Sequence, residues 1–249
     1  MLVVTGSSKG IGNRIALTLS EKHSITYGIS SSGLNTTSSK RITNIKLDLE
    51  SINQIENNLR DKFDFSHHKK ISVVLCASQL GNPGGLFDSD LSDWNKIYNI
   101  NVLGNLSVLK FVVKNMHPSS TLRVVFFAGG GSAYGYPEFF GYSLSKVATV
   151  RAVENVGLEF SKTKLNASII ALAPGAVATD MLAKVISHGG TVKTKTDISE
   201  PVAFVDKFLN DELNSKQLNG RFLHVRDDQE NTNTIEFLSS DKFKLRRIQ

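Results

Sequence analysis

Leu2-Val-Val-Thr-Gly-Ser-Ser-Lys-Gly-Ile-Gly12, at the start of the chain, decides the fold. Leu2 to Val4 is a short apolar run of the kind that a strand covered on both faces carries. It breaks into a loop holding Gly6, Gly10 and Gly12, and Ile11, Ile15 and Leu19 then recur at helical spacing. Strand, glycine loop and helix in that order place unpaired backbone N–H groups at a helix N-terminus, where a phosphate is received. Glycine suits the loop because a Cβ would hold a pyrophosphate away from the backbone. A plain βα turn has the same outline, so the loop alone leaves both readings open.

Outward from this unit, apolar runs alternate with helical patterns. Strands are expected at Ile25 to Ile29, Ile42 to Leu47, Ile71 to Cys76, Leu122 to Phe127, Ala167 to Leu172 and Arg221 to Val225. Ile52, Ile55, Leu59 and Phe63 mark one helix. A long one is expected from about Ser92, as its cap, to Met116, ahead of Pro118. Others run from near Tyr142 to Lys162 and from Glu200 to Leu209. Seven strands alternating with helices predict one doubly wound α/β domain of Rossmann type over residues 1–226, with a parallel sheet and helices on both faces. Ser30 to Ser39 and Met181 to Thr196 lack regularity, and the second is placed to act as a polar lid after strand six. Residues 227–249 read as a charged C-terminal extension.

Composition narrows the function classes. The 249 residues are 40% hydrophobic, enough for a sizeable core. A single cysteine, Cys76, excludes an internal disulfide framework and points to a reducing compartment, cytoplasm or nucleus. No run of eighteen apolar residues is present, and a strand beginning at Met1 leaves no room for a secretory leader, so no membrane role is expected. The net charge is +6, but the basic residues are scattered and lack interleaved aromatics, which argues against nucleic acid. The six histidines have no ligand-like spacing, and no metal site is expected.

Tyr142 and Lys146 stand one helical turn apart, on one side of a helix that opens at the carboxyl edge of the sheet. A free tyrosine titrates near pH 10. A neighbouring ammonium, together with a cationic nicotinamide, is expected to draw that pKa down and to fit the phenol for proton transfer to a carbonyl oxygen.

Together these motifs resemble the short-chain dehydrogenase/reductase family over nearly the whole chain. Thr5-Gly-Ser-Ser-Lys-Gly-Ile-Gly12 is similar to the family's glycine loop, Leu47-Asp48-Leu49 to its adenine-contacting segment, and Asn99-Ile-Asn101 to its proton-relay segment. Tyr142-Ser-Leu-Ser-Lys146 resembles its Tyr-x-x-x-Lys pair, and Pro174-Gly-Ala-Val-Ala-Thr179 the stretch that holds a nicotinamide. Leu218 to Leu223 resembles fungal members related to benzil and sepiapterin reductases. The resemblance implies a nicotinamide dinucleotide held by Gly6, Ser8, Lys9, Gly10, Ile11 and Gly12 in the loop, and by Ser31, Asp48, Leu49 and Ala77 toward the adenosine. Tyr142, Lys146, Pro174, Gly175, Val177 and Thr179 would serve the nicotinamide half, with Tyr142, Lys146 and Asn101 catalytic. It also implies a small-molecule carbonyl substrate and a homodimer or homotetramer.

Two departures stand out. The family's substrate-holding serine falls thirteen positions before the tyrosine, and Gly129 stands there, within Ala128-Gly-Gly-Gly-Ser132. Ser132 is the candidate replacement, against the alternative of a solvent-facing loop serine. Cys76-Ala-Ser-Gln79 replaces the usual Asn-Asn-Ala-Gly, so Gln79 either crowds the adenosine side or turns outward. Ser30-Ser-Ser32 lacks the acid that would bind ribose hydroxyls and repel a 2′-phosphate, and Lys9 offers a cation. NADP(H) is therefore expected over NAD(H). Two functions stay open: an NADPH-dependent carbonyl reductase, or a cofactor-binding protein with little turnover because of Gly129.

Overall fold

The computed structural model describes residues 1–33, 40–192, 194–228 and 244–245. Seven parallel strands run in the order β3-β2-β1-β4-β5-β6-β9. They are β1 (Leu2–Thr5), β2 (Thr26–Ser30), β3 (Ile42–Lys46), β4 (Lys70–Leu75), β5 (Thr121–Phe127), β6 (Asn166–Ala173) and β9 (Arg221–His224). The apolar runs are nearly unbroken because successive residues face opposite covered sides of the sheet. Val3, Val73, Val124 and Ile169 join a core with Ile55 and Leu59 of α2 (Ile52–Leu59), Val108 and Val112 of α4 (Asn105–Asn115), and Val150 and Val153 of α5 (Phe140–Ser161). Their neighbours Leu2, Val4, Val74, Val125 and Ile170 pack on the other side with Ile15 and Leu19 of α1 (Gly10–Ser20) and Phe204 and Phe208 of α7 (Ser199–Leu209).

Three expectations require correction. The helix with Phe63 ends at Leu59, and Phe63 instead joins an aromatic cluster with Tyr27, Phe65 and Phe111 at centroid separations of 4.3, 5.6 and 5.8 Å. The long helix runs unbroken from Leu91 to Asn115, close to the expected bounds, but carries a π-helical turn at Asn99–Gly104 between α3 (Leu91–Tyr98) and α4. Its cap is Asp90, whose carboxylate accepts the Ser92 N–H at 2.8 Å. The π turn lets Asn101 and Asn105 meet the end of β4, a bulge of the kind found at functional sites. Finally, the segment after β6 is not irregular. It forms a two-stranded ribbon, β7 (Ala176–Val177) with β8 (Lys195–Thr196), and between them α6 (Asp180–Ser187). The Thr179 hydroxyl caps α6 and Asp180 complements its dipole, while Met181, Leu182 and Val185 lie half-buried along it. Positions 34–39 and 193 of the two expected loops, and 229–243 and 246–249 of the expected charged extension, lie outside the described residues.

β1 and β4 are adjacent, and the chain leaves them toward opposite sides of the sheet. One hydroxyl joins their carboxyl ends. Thr5 Oγ1 accepts the N–H groups of Cys76 (2.9 Å) and Ala77 (3.1 Å) and donates to Asn105 Oδ1 (2.6 Å), all without solvent contact at Thr5. Thr5→Val keeps the shape and removes all three bonds. It is expected to lower stability by about 1–3 kcal/mol in urea unfolding, and Thr5→Ser by clearly less.

Candidate active site

The glycine loop between β1 and α1 forms a cradle that side chains would fill. Gly6 has φ +69°, and a Cβ there would lie 2.7 Å from Ala77 Cα. A Cβ on Gly12 would meet the Gly6 carbonyl. No side chain caps α1, whose N-cap is Lys9, so its first N–H groups face the cleft mouth as anion donors. Gly10 faces Thr179 across the cleft, 3.6 Å from an ideal Cβ to the threonine methyl. Loop and Pro174–Thr179 segment therefore lie on two sides of one cleft, and the cradle fits a pyrophosphate. Ser8 and Ile11 are half-buried in the same loop, whereas Lys9 points outward and pairs with Asp180 at 3.2 Å. Asp48 and Leu49 follow β3, where Asp48 Oδ1 accepts the Glu50 N–H.

Tyr142 and Lys146 sit in the first turns of α5. Trp94 of α3 stacks on Phe140 at 4.8 Å and occupies the space beside Gly141, which fixes how this helix end approaches the sheet. Lys146 is buried, donates to the Phe127 carbonyl at the end of β5 (3.0 Å), and lies 5.5 Å from the centre of the Tyr142 ring. Burial lowers the Lys146 pKa to about 8. The same desolvation pushes the Tyr142 phenol up, reinforced by Tyr136 and Cys76. This desolvation opposes the lowering expected from the lysine together with a cationic nicotinamide, and Tyr142 holds its proton at neutral pH. The Cys76 thiol is pushed up to about 12 by burial, against smaller opposing effects of Lys146 and the Gly12 N–H.

Asn101 serves as a strut between elements. Its amide accepts the Gln79 N–H (2.7 Å) and donates to the Gln79 carbonyl (2.9 Å) and to Ser145 Oγ (2.9 Å), which in turn donates to the Tyr142 carbonyl (2.7 Å). Gln79 is itself exposed, so its side chain turns outward. Ser132 is buried rather than solvent-facing, but its hydroxyl donates to the Gly129 carbonyl (2.8 Å) and receives the Gly129 N–H (3.3 Å). Gly129 lies beside the phenol: an ideal Cβ there would be 3.1 Å from Tyr142 Oη. Sequence reasoning missed Thr5, Asn105 and Ser145. The signal available was Asn105, four positions after Asn101 and so on the same side of the helix. It also missed Lys184 of α6, which donates to the Gly81 carbonyl at 2.6 Å and ties this helix to the loop after β4.

Fold and site define a doubly wound α/β protein with a phosphate cradle and a Tyr–Lys pair at one sheet edge. A family model described as short chain dehydrogenase matches residues 1–189, and the chain belongs to that family of oxidoreductases. A 3-oxoacyl-[acyl-carrier-protein] reductase of Buchnera aphidicola is 24% identical over 185 residues, 72% of this chain and 74% of its own. The benzil reductase of Bacillus subtilis is 23% identical over 191 residues, 75% of this chain and 78% of its own. Among solved structures, 4-hydroxyisoleucine dehydrogenase complexed with NADH and succinate superposes with TM-score 0.76 at 17% identity, covering 90% of this chain and 97% of that one. ElxO with NADP bound gives 0.72 at 23%, covering 90% and 96%. Among the described residues no helix is long and apolar enough to cross a membrane, and no group of three or more His, Cys, Asp or Glu is gathered for a metal.

The depressed Lys146 pKa has a consequence for stability. The unfolded lysine titrates at its ordinary 10.5 and the folded one near 8, so between these values the unfolded chain binds more protons. The contribution of Lys146 is full above pH 10.5 and is lost as pH falls through 8. Wild type is expected to gain stability relative to Lys146→Met by a few kcal/mol from pH 8 to 10.5, measured by urea unfolding. The raised Cys76 thiol acts in the opposite sense above pH 9 and is itself coupled to Lys146, so the gain is read most cleanly between pH 8 and 9.

Proposed function

We propose that this chain is an NADPH-dependent reductase of a small ketone, aldehyde or dicarbonyl. The observation that carries the reading is Tyr142 and Lys146 on one turn of α5, with Lys146 anchored to Phe127 O beside the glycine cradle. The loop from Gly6 to Gly12 would hold the pyrophosphate, Asp48, Leu49 and Ala77 the adenosine, and Pro174, Gly175, Val177 and Thr179 the nicotinamide. When bound, the reduced dinucleotide supplies hydride. Tyr142, which keeps its proton at neutral pH, gives that proton to the carbonyl oxygen as the carbon is reduced. Lys146 is a buried cation held near the phenol, where it stabilises the phenolate left behind. Asn101 and Ser145 hold the loop after β4 against the Tyr142 turn and so keep the phenol in register with the cleft. Relatives named as reductases support this direction of reaction. Leu103, Leu144, Val147 and Leu158, exposed along the π turn and α5, support a homo-oligomer.

A panel of carbonyl compounds with NADPH, followed by loss of the reduced cofactor, tests this reading. At least one compound should turn over, and Tyr142→Phe should lower kcat by about 10²-fold or more while NADPH still binds. No turnover across the panel removes the enzyme reading.

Gly129 favours the second reading, a dinucleotide-binding protein with little turnover. The position that would hold a substrate carbonyl has no side chain, and the Ser132 hydroxyl is engaged by the Gly129 backbone. Gly129 is in extended backbone (φ 175°, ψ 176°), which any residue adopts, and only the phenol end of Tyr142 must shift slightly for a Cβ. Gly129→Ser is therefore expected to fold and to raise kcat roughly ten- to a hundred-fold by restoring one preorganised donor. Ser132→Ala separates the two readings. A fall in kcat with unchanged NADPH affinity assigns Ser132 the replacement role, whereas a silent change beside a Gly129→Ser variant that gains activity from a dead background supports the binder.

A further inference from the structure

The carboxyl ends of β2 and β3 frame a hollow of about 350 Å³, lined by Ser31, Lys46, Leu47, Asp48, Gln54 and Asn58. Parallel pairing sets Ser30, the last residue of β2, opposite Lys46, the last residue of β3. The turn that follows β2 is tied down on this side. The Gly33 N–H donates to Ser30 Oγ at 3.1 Å, and the Leu47 N–H donates to the Ser30 carbonyl at 2.9 Å. Gly33 has φ +70°, and a Cβ there would lie 2.8 Å from Lys46 Cβ. The lysine stem therefore lies directly against the turn, and its ammonium belongs to the mouth where Ser31 stands. Among the described residues Lys46 has no carboxylate within ion-pair distance, whereas Lys9, the other cation near this end of the cleft, is paired with Asp180.

We infer that Lys46 is the residue that reads the 2′-phosphate of NADPH, with Ser31 donating beside it, and that Lys46 rather than Lys9 sets the choice of cofactor. The inference rests on the reading of the chain as an NADPH-binding protein. The chemistry follows from charge. A 2′-phosphate adds up to two negative charges at the end of the cleft that also carries Asp48. Three serines supply hydrogen-bond donors there but no charge, so discrimination between a ribose phosphate and a ribose hydroxyl needs a cation. Lys46 is the one that the sheet register delivers to the turn after β2. Its place on the neighbouring strand explains how Ser30-Ser-Ser32, with no basic residue of its own, can still prefer the phosphorylated dinucleotide.

Titration calorimetry of NADPH and NADH against wild type, Lys46→Met, Lys46→Arg and Lys9→Ala tests the inference without turnover. Methionine keeps the stem against Gly33 and removes only the charge. Lys46→Met is expected to weaken NADPH about ten-fold or more while leaving NADH within about two-fold, Lys46→Arg to keep the preference, and Lys9→Ala to lose less than Lys46→Met. The wild-type preference should also shrink as salt is raised, as for any partly exposed ion pair. If wild type prefers NADPH and Lys46→Met leaves that ratio unchanged, or weakens both cofactors equally, the assignment of Lys46 is wrong while the NADPH reading stands. If neither dinucleotide binds wild type saturably, the NADPH reading itself falls and takes this one with it.

Discussion

Three hydrogen bonds to a single buried oxygen, Thr5 Oγ1, hold the place on which the rest of the site depends. Strands β1 and β4 are neighbours, yet β1 leads to α1 on one face and the chain beyond β4 leads to the helices on the other. Backbones that part in opposite directions leave N–H groups unpaired where they separate, and buried unpaired N–H groups are costly. Thr5 satisfies two of them and hands its own proton to Asn105, whose amide nitrogen in turn satisfies the Ala77 carbonyl at 3.0 Å. The gap that results between the strand ends is the crevice in which ligands of doubly wound sheets lie. The same atom therefore closes the fold and opens the cleft.

Around that crevice the electrostatics are governed by desolvation. Lys146 is buried with the Phe127 carbonyl as its hydrogen-bond acceptor, an arrangement that costs the charged form enough to bring its pKa to about 8. The phenol next to it is shifted the other way by the same exclusion of water. Burial thus drives the two groups apart: the phenol holds its proton more firmly, and a neutral or a charged lysine is close in energy near physiological pH. The cost is offset by the core that α5 shares with the sheet through Val150, Val153 and Phe160.

Helix α6 and the loop after β5 wall the cleft on the side of Tyr142. Helix α6 is tethered at Gly81 through Lys184, at Lys9 through Asp180, and at Phe139 through an edge contact with His188. The two ion-paired side chains of the Lys9–Asp180 contact are largely exposed, and such a pair contributes little to stability. The Lys184 bond, part-buried, is the firmer tether. In the loop after β5, three consecutive glycines leave the wall beside Tyr142 without side chains, and the nearest hydroxyl turns back onto the loop that carries it. This wall is wider than one built with a serine, and it has one hydrogen-bond donor fewer.

The strand pattern, the glycine loop and the Tyr142–Lys146 spacing were all determined by the sequence itself. They are local: alternation of burial writes an apolar run, a close backbone approach writes glycine, and a helical turn writes a spacing of four. The same locality explains what the sequence misplaced. A π turn inserts one extra residue without altering the apolar periodicity, so Asn99–Gly104 looked like ordinary helix and the buried place of Asn105 was not legible. Helix α6 is short and buries no residue fully, so its pattern read as a polar loop until the ribbon of β7 and β8 and its tether to Gly81 held it in place. Long-range contacts decided the rest. Thr5 meets Asn105 across a hundred residues, Lys46 meets the Ser30 turn only through strand register, and the direction of the Tyr142 pKa follows from water excluded by the whole surrounding core. Desolvation and register are properties of packed elements, and no window of sequence contains them.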